Sequence, residues 1–374
     1  MALALSLGRR AQGNAWPNPA VGCVVVREGR IVGRGWTAPG GRPHAEPQAL
    51  AQAGSAAHGS TVYVTLEPCA HHGQTPPCAE ALIDAGVARI VVGVEDTDPR
   101  VAGRGLAMLR RAGIEVVTGV LADRVVQDLA GFRLTRAQGR PWVTLKLASS
   151  FDGRIATATG ESQWITGPAA RREVHAMRMR HDAVMVGAGT ARADDPMLTV
   201  RGMGNVRQPV RVVVSRRLDL PLSSQLARTA RTVPLWLCHG PDADGPLAQA
   251  WDGIGARRVQ CAVTGGQLDP GSVLRALAVA GLTRVFCEGG GALAASLLGA
   301  GLVDELVGFS AGLVIGAEGH PAVGVLGLGR LAEAPRFDLV ETRDLGGDVL
   351  HRWHRRQGGS PVAEAAVGQG SPAG

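Results

Sequence analysis

The chain has 374 residues, 45% of them apolar, which is long for one compact unit and sufficient to fill two cores. No apolar run reaches the ~18 residues that a membrane span needs, and the opening segment places Arg9 and Arg10 after its apolar stretch, the wrong order for a secretory signal. The net charge of +7 invites a nucleic-acid partner, but the arginines are scattered and aromatic residues make up only 3%, so the basic groove with stacking aromatics is missing and a surface that attracts phosphorylated metabolites is the better reading.

In chain order, residues 2–12 predict an amphipathic first helix. Two short apolar runs, 21–27 and 30–36, flank Glu28-Gly29 and predict a hairpin. Helix 45–53, strand 61–66, helix 79–85 stopped by Gly86, strand 89–94, helix 106–111, strand 114–118 and a longer helix 122–138 follow. Alternation of this kind predicts an α/β fold with a largely parallel core sheet. Gly139-Arg140-Pro141 breaks the rhythm, which predicts one domain over 1–139 and a second over 140–356. The second half predicts strands at 142–148, 183–186, 210–215, 232–237, 258–263 and 284–287. Helices are predicted at 169–180 and 271–280, with another running from a Gly-Gly-Gly turn to about 299. The Gly/Pro/Ala/Ser-rich stretch 357–374 predicts a disordered tail.

The six cysteines lack the density and spacing of a disulfide framework and point to a reducing, cytoplasmic setting with thiols free for metal. His44-Ala45-Glu46, Glu67-Pro68-Cys69 and Cys78 carry the strongest chemical signal. One imidazole and two thiolates make three ligands for a tetrahedral Zn2+, leaving an open fourth position for water, the mark of a catalytic site. Zinc brings the pKa of such a water towards neutrality. Glu46, not itself a ligand, is placed to take the proton and pass it to a departing amine. Base deaminases use this arrangement with a short Cys-x-x-Cys; here eight residues separate Cys69 from Cys78. Pro47 suits the first turn of a helix, so His44 and Glu46 fall at its start. Cys78 opens the next helix, where the dipole favours thiolate. His71 and His72 are read as lining a pocket, and Cys23 as core.

Taken together, Asn18-Pro19-x-Val21-Gly22-Cys23, His44-Ala45-Glu46 and the run from Thr65 to Cys78, with His71-His72-Gly73 and Thr75-Pro76-Pro77 in its long loop, resemble the deaminase half of the RibD family of bifunctional riboflavin-biosynthesis enzymes. The resemblance continues through Lys146-Leu147-Ala148, Asp152-Gly153 and Gly160–Thr166. It then takes in Gly187-x-Gly189-Thr190 with Asp194-Asp195-Pro196-x-Leu198-Thr199-Val200-Arg201, and Glu288-Gly289-Gly290-Gly291, and so covers nearly all of residues 1–350. Trp16, Pro47-Gln48 and Arg154 depart from the usual pattern without removing a ligand.

The resemblance implies a cytidine-deaminase-like three-layer domain followed by a dihydrofolate-reductase-like domain. It implies zinc at His44, Cys69 and Cys78, and NADPH at Ala148, Trp164, Thr190, Asp194, Ser215 and residues 290–296 (Gly290, Gly291, Ala292, Leu293, Ala294, Ala295 and Ser296). A phosphorylated pyrimidine substrate would meet Ser162, Arg178, Leu198, Arg201 and Glu288. Read without the resemblance, the triple glycine between strand and helix is a generic phosphate cradle, and arginine forks suit phosphate oxygens. Asp194 and Lys146, the chain's single lysine, are the candidate proton donors. A homo-oligomer, dimer or tetramer, is the default for such enzymes. Two rivals stand against this reading. A nucleic-acid deaminase predicts the short cysteine loop and a basic aromatic surface. A chain with one decayed activity is opposed, for the deaminase half, by the presence of all four zinc-site residues.

Overall fold

The computed structural model describes residues 1–72, 76–98, 102–243 and 245–356. Gly73, Gln74 and Thr75 of the long cysteine loop and the tail 357–374 lie outside the described residues.

The first half runs α1 (Ala2–Gly8), β1 (Gly22–Arg27), β2 (Arg30–Trp36), α2 (Ala45–Ala53), β3 (Thr61–Leu66), α3 (Cys78–Asp84), β4 (Arg89–Val94), α4 (Arg104–Arg111), β5 (Glu115–Val117), α5 (Ala122–Asp128) and α6 (Ala130–Gln138). The sheet order is β2-β1-β3-β4-β5. Only β3-β4-β5 pair in parallel; β1 is antiparallel to both neighbours, so this sheet is mixed where a largely parallel one was expected. The hairpin accounts for the difference, because a two-residue turn can join only antiparallel strands. Its core is the apolar face of the sheet with α2, α3 and α4, including Val25, Val64, Leu82, Ile90 and Leu106. The expected single helix over 122–138 is two, broken at Leu129, whose backbone leaves helical geometry.

The second half comprises β6 (Trp142–Ser150), β7 (Arg154–Ala156), α7 (Pro168–Met179), β8 (Ala183–Gly187), α8 (Ala188–Asp194), β9 (Val210–Val214), α9 (Gln225–Arg228), β10 (Leu235–His239), α10 (Gly245–Gly253) and β11 (Arg257–Gln260). It continues with β12 (Val263–Thr264), β13 (Gln267–Leu268), α11 (Pro270–Val279), β14 (Arg284–Gly289), α12 (Gly291–Gly299), β15 (Glu305–Ala311), β16 (His320–Pro321), β17 (Phe337–Asp344) and β18 (Asp348–Arg355). Its nine-stranded sheet is ordered β11-β10-β9-β8-β14-β6-β15-β18-β17. The first seven strands are mutually parallel, and β18 and β17 close the edge antiparallel. The strand expected at 232–237 begins three residues later, at Leu235. Thr232 and Val233 both donate to Thr229 O in a turn, and Pro234 has no N–H to give. All-parallel pairing leaves one functional edge: the carboxyl ends of β6, β8, β9 and β14, where ligands of open α/β sheets bind. The two halves meet at the opposite, amino ends. There Arg284 donates to Asp128 O (3.1 Å), and Arg207 to Asn14 O (3.0 Å).

Candidate active sites

In the first half, His44 is the N-cap of α2, Cys69 follows the end of β3, and Cys78 is the first residue of α3. Parallel pairing sets the end of β3 beside the two helix starts, and the three ligand atoms lie within 4.8 Å of one another. His44 Nδ1 is 3.3 Å from Cys78 Sγ and 3.8 Å from Cys69 Sγ. Ligands at about 2.0 Å (nitrogen) and 2.3 Å (sulfur) around a tetrahedral zinc would themselves stand about 3.5–3.8 Å apart, so this donor set and spacing fit the ion. The Cys78 N–H also donates to Cys69 Sγ at 3.3 Å.

The electrostatics favour deprotonated sulfur at Cys69. The hydrogen bond from Cys78 first, and that with His44 after it, bring the Cys69 thiol down to about 4 against the pull of burial. The same contact with Cys69, and then burial, push the Cys78 thiol up. The hydrogen bond to Cys69 raises His44. Glu46, in the first turn of α2 and 4% exposed, has its carboxyl raised to about 7 by burial and shares a hydrogen bond with Cys78. A proton carrier at that value suits transfer in both directions near neutral pH.

A cleft opens over this group, walled by Asn18, Thr37, Arg42, Asp96, Asp98 and Arg136. Asp96 and Asp98 are residues that sequence reasoning missed. They sit beyond β4 with no motif to mark them, and only the sheet brings them to the zinc corner. His71 lines the cleft as expected, whereas His72 is exposed, with Nε2 3.3 Å from the Glu80 carboxylate. Cys23 is fully buried on β1, as a core residue should be.

In the second half, the expected cofactor residues Ala148, Thr190, Asp194, Ser215 and Gly290 all fall at or just beyond the carboxyl ends of β6, β8, β9 and β14. Thr190 Oγ1 donates to Gly289 O at 3.2 Å, joining the α8 and α12 starts. Gly290 has φ +83°, and a Cβ there would stand 2.6 Å from Thr190 Oγ1. That crowded, glycine-only turn puts bare backbone N–H groups of α12 at the sheet end, which suits a phosphate of NADPH. Ala294 and Ala295 instead bury their side chains in the core, and Ala294 N donates to Gly290 O, so the latter part of 290–296 presents little to a ligand. Ser296 and Ala292 are exposed. Trp164 is 66% exposed, with the Arg171 guanidinium 4.6 Å above its ring. Ser162 lies in the same loop, two residues before it.

Arg178 is not a free cation. Its Nε and Nη2 donate to Glu288 (2.5 and 3.0 Å) and its Nη1 to Thr199 O (2.8 Å), leaving two of five donors for a ligand. Lys146 Nζ is 3.9 Å from Glu288 Oε2. Burial lowers the Lys146 ammonium pKa; Glu288 and Asp194 oppose that. Leu198 is buried with φ +54°, and Arg201 is exposed, its backbone N–H donating to His175 Nδ1.

A three-ligand zinc corner on a mixed sheet, chained to a parallel sheet with a glycine turn at its carboxyl edge, defines a zinc deaminase fused to a dinucleotide-dependent reductase. Residues 1–94 match the family model for the cytidine and deoxycytidylate deaminase zinc-binding region, and residues 141–351 match that for the RibD C-terminal domain. The riboflavin biosynthesis protein RibD of Escherichia coli K12 is 41% identical over 365 residues, covering 94% of this chain and 97% of its own. That of Aquifex aeolicus is 39% identical over 94% of this chain and 96% of its own. Among solved structures, Acinetobacter baumannii RibD superposes with a TM-score of 0.84 at 37% identity, covering 95% of this chain and 98% of that one. A Thermotoga maritima diaminohydroxyphosphoribosylaminopyrimidine deaminase/5-amino-6-(5-phosphoribosylamino)uracil reductase superposes at 0.83 with 33% identity, covering 95% and 97%.

The chain belongs to the RibD family. It is a bifunctional enzyme of riboflavin biosynthesis, a cytidine-deaminase-like zinc domain followed by a dihydrofolate-reductase-like domain that uses NADPH. No described helix is long and apolar enough to cross a membrane.

Proposed function

We propose that His44, Cys69 and Cys78 hold the zinc and that Glu46 is the proton carrier in hydrolytic deamination of 2,5-diamino-6-ribosylamino-4(3H)-pyrimidinone 5′-phosphate. The gathering of three ligand atoms within 4.8 Å, beside the buried Glu46 carboxyl, carries this reading. Zinc, when bound, supplies Lewis-acid activation of a water. Glu46 accepts the proton that the water loses as its oxygen bonds to the amino-bearing ring carbon. Glu46 then delivers that proton to the amine as the C–N bond breaks and ammonia leaves. Asn18, Asp96 and Asp98 orient the ring from the cleft wall.

In the second domain Ala148, Trp164, Thr190, Asp194, Ser215 and the start of the 290–296 segment take NADPH, which supplies the hydride. Ser162, Arg178, Leu198, Arg201 and Glu288 take the aminouracil ribosylamine phosphate. Ring opening moves the N–H proton to the sugar oxygen and leaves an imine at C1′. Hydride adds to C1′, and the nitrogen takes a proton. Of the two candidate donors Lys146 is the better placed, since burial already weakens its hold on the proton and it lies beside Glu288.

The division into a deaminase unit, 1–139, and a reductase unit, 140–356, is supported by the separate sheets and by the spans of the two family matches. The edge strand β17, with Leu339 and Val340 about half exposed, supports a closed homo-oligomer, a dimer or tetramer. Six free cysteines support a cytoplasmic setting. A single assay tests the core of this reading: supply the diaminopyrimidine phosphate and follow ammonia release and NADPH loss separately. Glu46→Ala should abolish ammonia release while pre-deaminated substrate still consumes NADPH. Undiminished ammonia release in that variant would overturn the assignment.

A further inference from the structure

Glu67 stands two residues before Cys69 and is 4% exposed. No cation pairs with it among the described residues; four backbone N–H groups meet its carboxylate instead. Oε2 accepts from Asp96 (3.1 Å) and Gly103 (3.0 Å), and Oε1 from Gly105 (2.9 Å) and Leu106 (3.3 Å). A buried carboxylate so enclosed has its roughly four lone-pair sites filled, and the α4 dipole adds to its hold. At Gly105 a Cβ would stand 2.0 Å from Pro68 O, so the start of α4 lies directly against the turn that carries Cys69. On the other side, Asp96 has its N–H fixed by Glu67, and its own Oδ1 accepts the Asp98 N–H at 2.9 Å. Asp96 and Asp98 face the same cleft as His44 and Glu46. One carboxylate therefore ties the metal-bearing turn to the wall across the cleft.

We propose that Glu67 is a positioning residue for deamination: it fixes the separation between the Cys69 turn and the Asp96–Asp98 wall, and so sets affinity for the pyrimidine without being a metal ligand. This rests on the deaminase reading above. The bland alternative makes Glu67 an anchor for α4 that serves only the fold. The two differ in what Glu67→Gln does. The amide is isosteric, but whichever way it turns its NH2 faces two N–H donors and two of the four hydrogen bonds are lost.

The test uses the full chain with zinc bound and three readouts: metal content, deaminase kinetics, and reductase kinetics on pre-deaminated substrate. Gly105→Ala serves as a second variant, keeping the Glu67 carboxylate but parting the α4 start from the Pro68 carbonyl and crowding Glu67 Oε1, 3.3 Å from the added Cβ. Both variants should keep about one zinc per chain and unchanged NADPH consumption. Their KM for the diaminopyrimidine phosphate should rise on the order of tenfold, with kcat within about threefold, the signature of weakened substrate binding with the chemical step left intact. Unchanged deaminase KM overturns the proposal. So does a loss that merely tracks zinc content, or a loss of both activities together. A wild-type chain that holds no zinc or releases no ammonia would instead defeat the deaminase reading itself, a distinct outcome.

Discussion

Arg178 and Glu288 meet as a two-pronged pair in the reductase half, each with about a tenth of its side chain exposed (11% and 10%). Burial alone would raise the Glu288 carboxyl pKa, but Arg178 and Lys146 outweigh it and hold it below the usual carboxylate range. The pair lies between α7 and the end of β14, where the substrate and the cofactor would meet.

Removing one partner therefore leaves a buried charge uncompensated. Glu288→Ala should destabilise the reductase half by about 3–5 kcal/mol, the usual cost of breaking such a pair. It should also raise the reductase KM, because Arg178 would swing from its fixed position. Ammonia release should stay at the wild-type rate. Urea unfolding alongside the two separate assays checks this, and an unchanged unfolding midpoint would show that the pair contributes little.

Chelation should separate the two activities. A zinc chelator, or Cys69→Ser, should remove the metal and stop ammonia release, while NADPH oxidation on pre-deaminated substrate continues, because the second site lies at the far, carboxyl end of its own sheet. Readdition of zinc should restore the chelated wild type but only poorly restore the serine variant, whose hydroxyl is a harder, weaker ligand. Metal content and both rates on the same sample decide it. Parallel loss of both activities would mean that the two halves are coupled through the metal.

Much of the zinc corner was legible in the chain because its ligands come from contiguous signals: a Pro47 helix start, an apolar strand running into Cys69, and Cys78 opening a helix. The Glu28-Gly29 hairpin was equally local. What escaped was non-local. Asp96 and Asp98 reach the cleft only through parallel pairing of β3 with β4, and Glu67 reads as part of a motif until four N–H groups from residues 96–106 converge on it. The β17–β18 hairpin was missed because β17 is mostly exposed and β18 is only half-buried and rich in polar residues, with no clean alternation to betray either strand. Arg178 was expected to meet phosphate, and nothing in the sequence told that Glu288, over a hundred residues away, already holds most of its fork.

The glycine turn makes a sharper prediction for the cofactor. Gly290 combines φ +83° with a Cβ position 2.6 Å from Thr190 Oγ1, so alanine there is both strained and obstructed. Gly290→Ala should cost about 1–3 kcal/mol of local stability and push the start of α12 away from Thr190. The expected readout is a rise in KM for NADPH with deamination unaffected. Thr190→Ala, which removes the obstructing hydroxyl, should partly rescue the double variant. No rise in KM for NADPH would place the cofactor phosphates elsewhere.

A buried histidine of the reductase half should make stability depend on pH. His181 is buried between α7 and β8, with Nδ1 2.7 Å from Met177 O and Nε2 3.0 Å from Thr144 Oγ1. Burial, and then the nearby Arg284 guanidinium, bring its pKa down to about 4. The unfolded chain, with an ordinary imidazole near 6.5, binds the proton first as pH falls. Below about 6.5 the unfolded state therefore gains protons that the folded state refuses, and stability declines progressively until pH nears 4, where the folded imidazole also titrates. The full difference is on the order of 3 kcal/mol. Denaturant midpoints between pH 7.5 and 4 should fall more steeply for the wild type than for His181→Asn, whose amide cannot ionise. Parallel curves for the two proteins would mean that buried carboxylates such as Glu305, held below its ordinary range by His354 and Arg352 against the effect of burial, set the acid limit instead.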